Sequence, residues 1–519
     1  MLRVIAAFFI FAAGCFCAAQ DNPSVSAERV NTALTQLDSY IRSSLDQTKV
    51  PGISVAVVYN DQVVFLRGYG IRKVGESAAV DPDTVFEIAS VSKPIASTIL
   101  ASLVGQGRIS WDDRIADLDP TFRLSSAETT QQVTIRDFLS HRSGLATLSG
   151  DTLEDLGYSR PSILYRMRYL SLPGQFRKSY AYSNFGFTTA GVAAAMKIGK
   201  TWETIADEEL YSRLGMTSTS SRFSDYENRS NKAAMHIFID GQPVNRFVRK
   251  ADAEAPAGGV NSSARDLAEW VRLQLNEGKW NGKQIVDPLA LAETHKAQVC
   301  RNAVDPAKPG VCPGDQYYGL GWDVGKNSLG VAQVNHSGAF FQGASTSVYL
   351  VPAEHLGILV LTNSQPVGLP ESICMQFLDL VHYGKAQREY LPLIGHYMAQ
   401  MIAETQDESI NYAALVAPRN AAPAKPLSAY AGTYTNDYFG DLEVEAKGDR
   451  LILRLPPRGS YYELSHWDGD TFTYYYTSES TGAGRRGAKF LIDKNQVLIE
   501  SLAPEHNAVF TRVRAGQPK

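Results

Sequence analysis

Cysteine is scarce in this chain, and the short motifs of several common enzyme classes are absent. Five cysteines occur among 519 residues, and no His-Glu-x-x-His or paired-cysteine spacing indicates a zinc site. No Gly-x-Ser-x-Gly sequence marks the nucleophile of an α/β-hydrolase, and the glycine-rich stretches do not match a phosphate-binding loop. The sequence therefore predicts neither a metal nor another cofactor.

An excess of charge of either sign is also lacking. The chain has 50 Lys and Arg against 54 Asp and Glu, a formal net charge of −4. No nucleic acid and no anionic membrane surface is therefore expected as a partner. With 44% hydrophobic and 20% charged residues, the composition is that of an ordinary soluble protein long enough for two or three domains.

Long hydrophobic runs are confined to the N-terminus. An apolar run follows Arg3 and gives way to small residues that end at Ala19. This pattern predicts a secretory signal peptide over residues 1–19, a secreted or periplasmic protein, and no membrane span in the mature chain. Two alternatives stay open: a lipoprotein-like box that would place a lipid anchor on Cys15, and an uncleaved leader that would act as an anchor.

The cysteines beyond the leader fit an oxidising compartment. Cys300 and Cys312 bracket a loop with two prolines and a glycine, so they could form one local disulfide, with two separate thiols as the alternative. Cys374 lies in an apolar helical stretch and is expected to be buried.

A Ser-x-x-Lys sequence is the most informative feature that is present. Ser90-Val91-Ser92-Lys93 stands where an extended apolar stretch gives way to a helical pattern, so Lys93 would lie one turn after Ser90 on the same face. An amine beside a hydroxyl can make serine a nucleophile, because a neutral Lys93 would take the serine proton. Considered alone, the tetrapeptide could equally be a helix N-cap followed by a solvated lysine.

Tyr182-Ser183-Asn184 is the second candidate element. A tyrosine next to a serine–lysine pair can relay a proton, and we predict this role for Tyr182. The Asn184 amide can both donate and accept, which suits a substrate amide. The alternative is a loop with ordinary aromatic anchors.

His336-Ser337-Gly338-Ala339 is the third candidate element, and it precedes two predicted strands. Gly338 would let substrate approach the strand backbone closely. The backbone N–H of Ala339 could pair with that of Ser90 as an oxyanion hole, and Ser337 is predicted to bind substrate with them. The alternative for His336 is a strand-end histidine bonded to backbone.

With these elements in order, the chain resembles the serine β-lactamase and penicillin-binding-protein superfamily. It is most similar to the class C–related serine hydrolases, which include esterases and D-aminopeptidases, over roughly residues 25–385. The resemblance implies that Ser90 is acylated, that Lys93 and Tyr182 share its proton, and that Asn184 binds substrate. Other stretches typical of that family are Pro51–Val57, Phe138–Leu145, Ala257–Val260 and Tyr318–Trp322.

His336 departs from the family pattern, which has lysine at this place in most β-lactamases and transpeptidases. Lysine is a fixed cation that suits a substrate carboxylate, whereas histidine is mostly neutral at pH 7. We therefore expect a hydrolase of small peptide, amide or ester substrates, D-aminopeptidase-like or an esterase, with His336 assisting proton transfer. The alternatives are a β-lactamase or D-Ala-D-Ala carboxypeptidase, and a non-catalytic ligand or cell-wall-binding protein on the same fold.

The order of predicted elements indicates an α+β fold. A hairpin is predicted around Asn60-Asp61, strands return over 332–362, and helical patterns predominate between about 81 and 325. These elements predict one antiparallel sheet flanked by helices with a helical lobe inserted, as in β-lactamases and transpeptidases.

The C-terminal part has a different character. The predicted boundaries are a hydrolase domain over 20–384, a helical segment and linker over 385–426, and a small all-β barrel over 427–519. This last part resembles the lipocalin-like domain appended to some of these hydrolases. Its aromatic residues are expected in the barrel core rather than in a ligand site, and a barrel loop that limits substrate length is a functional option.

Overall fold

The structure is a computed structural model that describes residues 25–302, 312–407, 412–413, 415–478, 482–503 and 505–513. The predicted signal peptide, with Cys15, lies outside these residues. The chain divides into two units. Unit 1 comprises the chain up to Phe122 with Glu128–Thr147 and Leu172–Ala399, and unit 2 comprises Arg123–Ala127, Leu148–Ser171 and the chain from Gln400 onward.

Eight antiparallel strands form the sheet of unit 1. They are β1 (Gly52–Tyr59), β2 (Gln62–Gly70), β3 (Val299–Cys300), β4 (Tyr317–Tyr318), β5 (Asp323–Lys326), β6 (Ala332–Phe340), β7 (Ala344–Val351) and β8 (Leu356–Thr362). Their order across the sheet is β2-β1-β8-β7-β6-β5-β4-β3. The predicted antiparallel sheet is thus confirmed.

Strands from the two ends of unit 1 meet in the sheet. The predicted hairpin is present between β1 and β2, where Asn60 and Asp61 have φ of 47° and 61°, as a tight two-residue turn between twisted strands requires. β1 then pairs with β8, with Ile53 opposite Thr362. The residues between β2 and β3 are therefore an insertion between two strands of one sheet.

Helices cover both faces of the sheet. The longer helices of unit 1 are α1 (Ala27–Thr48), α2 (Ser92–Gly105), α3 (Asn184–Ile198), α4 (Ala264–Leu275) and α5 (Leu369–Tyr383). Leu37 of α1 and Phe377 of α5 share one buried cluster with Ile358 of β8. Gly357 faces the opposite side, where a Cβ would meet Leu275 of α4, because successive strand residues point to opposite faces.

Shorter elements complete the helical lobe and its surroundings. The short helices are Ile115–Leu118, Ala127–Gln132, Ile135–Leu139, Trp202–Ala206, Ser212–Leu214, Phe223–Glu227 and Pro288–Thr294. Short paired strands are Phe86–Glu87 with Asn261–Ser262, Ile237–Ile239 with Gln242–Val244, and Lys279–Trp280 with Lys283–Gln284. A further helix spans Tyr390–Asp407, where a helical segment was predicted.

A closed eight-stranded antiparallel barrel forms most of unit 2, as predicted. Its strands are β9 (Gly432–Asn436), β10 (Gly440–Lys447), β11 (Arg450–Leu455), β12 (Ser460–Asp468), β13 (Thr471–Ser478), β14 (Gly482–Leu491), β15 (Gln496–Ile499) and β16 (Val509–Arg512). Tyr430, Tyr434 and Phe472 are buried and their rings pack together with Phe490, whereas Tyr461 and Tyr475 are exposed. Most barrel aromatics therefore serve the core.

Unit 2 also contains a segment from the middle of the sequence, whereas the predicted boundaries kept 20–384 together. Leu148–Ser171 includes the helices Asp151–Leu156 and Arg160–Arg166. The Glu505 carboxylate accepts the backbone N–H groups of Gly150 and Thr152, which a helix start leaves without acceptors. These contacts between residues more than 350 positions apart are invisible to local sequence patterns.

The described part of the chain bears out both predictions about cysteine. Cys300 and Cys312 form a disulfide, and Cys374 is a buried free thiol. Within that part no helix is long and apolar enough to cross a bilayer, and no group of three or more His, Cys, Asp or Glu side chains is arranged to hold a metal ion.

Candidate active site

Ser90 lies in a single 3₁₀ turn, Ala89–Val91, directly before α2. The preceding Ala89 has φ of 47°, a left-handed conformation that is rare outside glycine and costs about 1–3 kcal/mol. The helix was expected to open at Ser90, and it begins at Ser92 because this turn intervenes. Ser90 is half-buried, while Lys93 on the first turn of α2 is fully buried.

Three oxygen atoms surround the Lys93 amine. Nζ lies 3.0 Å from Ser90 Oγ, 2.7 Å from Asn184 Oδ1 and 3.0 Å from the Ala257 carbonyl oxygen. The amide and carbonyl oxygens can only accept, so they take two N–H groups and leave the third position of the nitrogen facing Ser90. An ammonium donates there, and a neutral amine presents its lone pair to the serine hydroxyl.

Tyr182 completes the group. Its hydroxyl lies 2.7 Å from Ser90 Oγ, and Lys93 Nζ lies 4.5 Å from the centre of its ring. A deprotonated phenol at this distance from Ser90 Oγ accepts the serine proton, which is the role predicted for Tyr182. The Lys93 amine and the Tyr182 phenol are therefore each within hydrogen-bonding distance of the Ser90 hydroxyl, on which the predicted nucleophile depends.

Asn184 is positioned by a helix cap. Ser183 precedes α3, and its hydroxyl accepts the Gly186 N–H at 3.0 Å, so Asn184 starts the helix in a fixed orientation. Its side-chain oxygen is bonded to Lys93. The substrate amide that Asn184 was predicted to hold would therefore share this residue with the lysine.

His336 is neutral and already bonded through both ring nitrogens. Nδ1 lies 2.7 Å from the Ser337 carbonyl oxygen, which can only accept, so Nδ1 carries the hydrogen and Nε2 accepts from the Tyr318 hydroxyl at 2.9 Å. Burial, and secondarily the charge of Lys93, lowers the pKa of His336 to about 3. His336 could assist proton transfer, as expected from the sequence, only if the hydrogen bond between the Tyr318 hydroxyl and Nε2 were broken.

Gly338 brings β6 against the nucleophile turn. A Cβ at this position would stand 2.4 Å from the Ile88 carbonyl oxygen and 2.8 Å from the Ser90 nitrogen, so only glycine fits. Ala339 follows on the same strand, opposite Ser345. The Ser337 side chain, predicted to bind substrate, points to the other face of the sheet and bonds Ser347 Oγ at 3.1 Å, because strand side chains alternate.

Three contact residues had no role assigned from the sequence. Ala257 accepts from Lys93, Tyr318 donates to His336, and the His141 ring packs on Tyr182 with centroids 4.5 Å apart. Each lies in a stretch that carried the family resemblance. The stretches indicated family membership, but only the folded chain shows what each residue contacts.

Two family models match this chain, and several curated proteins are similar to it. A family model described as Beta-lactamase matches residues 37–372, and one described as Domain of unknown function (DUF3471) matches residues 417–505. The unguisins hydrolase ungD of Aspergillus violaceofuscus (strain CBS 115571) is 24% identical over 465 residues, 83% of this chain and 81% of its own length. Protein flp of Staphylococcus aureus (strain NCTC 8325 / PS 47) is 23% identical over 350 residues, 66% of each chain.

A solved structure shows the same fold. The octameric penicillin-binding protein homologue from Pyrococcus abyssi superposes with a TM-score of 0.58 at 22% identity, covering 90% of this chain and 98% of that one. The Beta-lactamase match spans more than half of the chain and includes Ser90, Lys93, Tyr182 and His336. The chain therefore belongs to the β-lactamase family of serine hydrolases.

Proposed function

We propose that this protein is a secreted serine hydrolase that cleaves amide or ester bonds of small peptides or esters through a Ser90 acyl-enzyme. The observation that carries the proposal is the approach of Lys93 Nζ and Tyr182 Oη to Ser90 Oγ, at 3.0 and 2.7 Å. A nucleophile beside its base, with that base held by a third group, is the arrangement that covalent catalysis requires.

The proposed reaction has two steps. Ser90 Oγ bonds to the acyl carbon, its proton passes to Lys93 or Tyr182 and then to the leaving amine or alcohol, and the bond from the acyl carbon to that group breaks. Water then attacks the acyl-enzyme ester and gives its proton to the same base, the bond between the acyl carbon and Ser90 Oγ breaks, and the base returns the proton to Ser90 Oγ as the carboxylic acid leaves. The backbone N–H groups of Ser90 and Ala339 are the proposed donors to the oxyanion.

The neutral state of His336 favours a peptidase or esterase over a β-lactamase or D-Ala-D-Ala carboxypeptidase. The latter substrates carry a carboxylate that a fixed cation would attract, and an imidazole with a pKa near 3 supplies none at pH 7. The similarity to a protein named as a hydrolase of unguisins supports hydrolysis without specifying the substrate of this chain.

A substrate panel tests the proposal. D- and L-aminoacyl p-nitroanilides, short-chain p-nitrophenyl esters and nitrocefin should be compared with wild-type protein and Ser90→Ala. We expect an anilide or ester to have the highest kcat/KM, a loss of at least about 10³-fold in Ser90→Ala, and fluorophosphonate labelling at Ser90. Unchanged turnover in Ser90→Ala would refute the nucleophile, and a dominant nitrocefin rate would refute the substrate class.

Export is a separate part of the proposal. The apolar leader followed by small residues supports cleavage after Ala19. N-terminal sequencing of the mature protein from the native host should begin at Gln20. A lipid-modified Cys15 as the first residue, or an intact leader, would replace this part of the proposal with one of the anchored alternatives.

A further inference from the structure

The two residues that flank Tyr182, Ala181 and Ser183, both donate their backbone N–H groups to one residue, His141. The Ala181 N–H bonds the His141 carbonyl oxygen at 2.8 Å, and the Ser183 N–H bonds His141 Nδ1 at 3.2 Å. Tyr182 lies in neither a helix nor a strand, because α3 begins only at Asn184. His141 therefore fixes the peptide plane that follows Tyr182, and through Ala181 it also holds the chain one residue before Tyr182.

The His141 ring also packs directly on the phenol ring. The two centroids are 4.5 Å apart at an angle of 40°, and the imidazole is 2% exposed. Tyr318, Phe187 and Tyr180 surround the same imidazole with centroids 4.8, 5.8 and 5.7 Å away. A ring enclosed in this way has little freedom to move, so it holds the face of Tyr182 in place.

The hydrogen bonds of His141 specify its charge and tautomer. The Ser183 N–H can only donate, so Nδ1 is unprotonated and Nε2 carries the hydrogen. Burial, and then the positive charges of Lys93 and Arg301, lower the pKa of His141 well below 6.5. The imidazole is therefore a permanent acceptor for Ser183 across the working pH range rather than an acid or base.

We propose that His141 is a positioning residue that sets the Tyr182 hydroxyl within hydrogen-bonding distance of Ser90, an inference that rests on the proposed function. The Tyr182–Ser90 contact is 2.7 Å, so a displacement of about 1 Å would break it, and such misplacement can cost about 10²-fold in rate. His141 acts on the reaction only through Tyr182.

Two substitutions separate the acceptor from the ring. His141 has φ of 56°, a conformation that asparagine tolerates better than most residues, and an asparagine Oδ1 can accept from Ser183. His141→Asn thus keeps an acceptor and loses the ring, whereas His141→Phe keeps a ring and loses the acceptor. His295→Phe is the matched control, because His295 is another histidine packed against an aromatic ring, that of Trp322.

The first readout is steady-state kinetics across pH with the best ester of the panel. For His141→Phe we expect kcat to fall about 10²-fold with KM changed less than about threefold, and the basic limb of the pH profile to shift. His141→Asn should retain more than a tenth of the wild-type kcat, and His295→Phe nearly all of it. The proposal would be overturned if kcat fell equally in the two His141 variants and if each fall in kcat matched the fall in melting temperature of that variant.

The second readout does not depend on turnover. It is amide hydrogen exchange, measured at Ala181 and Ser183. In His141→Phe, exchange at Ser183 should accelerate at least tenfold, and in His141→Asn it should accelerate less. Unchanged exchange at Ser183 in a folded His141→Phe would overturn the proposal even if activity fell. Absence of turnover in the wild type would instead count against the proposed function, while the exchange data would still decide whether His141 holds the Tyr182 backbone.

Discussion

Burial and hydrogen bonding decide the charges of individual residues around Ser90. The His336 pKa is lowered to about 3, while that of Glu371 is raised to about 7 because its carboxyl is 1% exposed. Glu371 lies in the first turn of α5, and the Ser337 hydroxyl partly offsets the rise of its pKa that burial causes. The strand segment His336–Ala339 therefore has the neutral imidazole of His336 on one side and the carboxyl of Glu371, whose pKa is raised, on the other.

Glu371→Gln should change how stability depends on pH. The folded carboxyl keeps its proton to about pH 7 and the unfolded one loses it near 4.5, so its contribution is full below 4.5 and is lost as pH rises through 7. Glutamine does not titrate, so the wild type should lose stability relative to the variant between pH 5 and pH 8. Urea denaturation at both values measures this, and an equal difference at the two pH values would contradict it.

His336→Lys tests the link between charge and substrate class. A lysine amine would place a cation where the wild type has a neutral imidazole, so the ratio of kcat/KM for nitrocefin to that for the best neutral ester should rise about tenfold, or about 1.4 kcal/mol. His336→Gln, which removes the ring without adding charge, is the control. An equal rise in both variants would show that shape rather than charge sets the ratio.

At the scale of elements, local patterns predicted the helices and strands well but not their exact starts. The hairpin at Asn60-Asp61 and the strands over 332–362 lie where their patterns placed them, because local alternation and turn residues specify such elements. The 3₁₀ turn before α2 was missed, since Ala89 adopts a positive φ that only tertiary contacts can enforce.

Gly338→Ala should separate β6 from the nucleophile turn. The added Cβ would stand 2.4 Å from the Ile88 carbonyl oxygen, so strand and turn must move apart, with an expected loss of about 10²-fold in kcat/KM and about 1–3 kcal/mol in stability. Gly325→Ala on β5 is the control, because its Cβ would meet only the Asp315 oxygen at 3.6 Å. Wild-type activity in Gly338→Ala would show that catalysis does not depend on the close contact between β6 and the turn that carries Ser90.

At the scale of the whole molecule, segments far apart in sequence build one unit. Glu505 and the barrel backbone hold Leu148–Ser171, with the Tyr158 hydroxyl donating to the Phe439 carbonyl oxygen and Arg166 Nη1 to the Tyr438 carbonyl oxygen at 2.7 Å. The chain leaves unit 1 after Thr147 and returns at Leu172. The predicted domain boundaries divide the chain into continuous stretches, so they cannot describe a unit that takes in a separate segment from the middle of the sequence.

Glu505→Ala should loosen this segment. Removing the carboxylate leaves the Gly150 and Thr152 N–H groups without their acceptor, at a cost of about 1–3 kcal/mol each, so hydrogen exchange over 150–158 should accelerate strongly. Glu463→Ala is the control, because Glu463 is half-exposed and pairs with Arg450 at the surface, where such bridges are worth under about 1 kcal/mol. Equal exchange in the two variants would contradict the proposed anchoring.

Local sequence was enough to predict the type and order of the secondary structure elements, the candidate catalytic residues Ser90, Lys93 and Tyr182, and the likeness to a hydrolase family. These follow from local periodicity and short motifs, which act over one or two turns of chain. The tertiary structure alone decided the neutrality of His336, the orientation of Ser337, the hold of His141 on Tyr182 and the membership of Leu148–Ser171 in unit 2. Those properties depend on burial and on hydrogen bonds between residues distant in sequence, which exist only once the chain has folded.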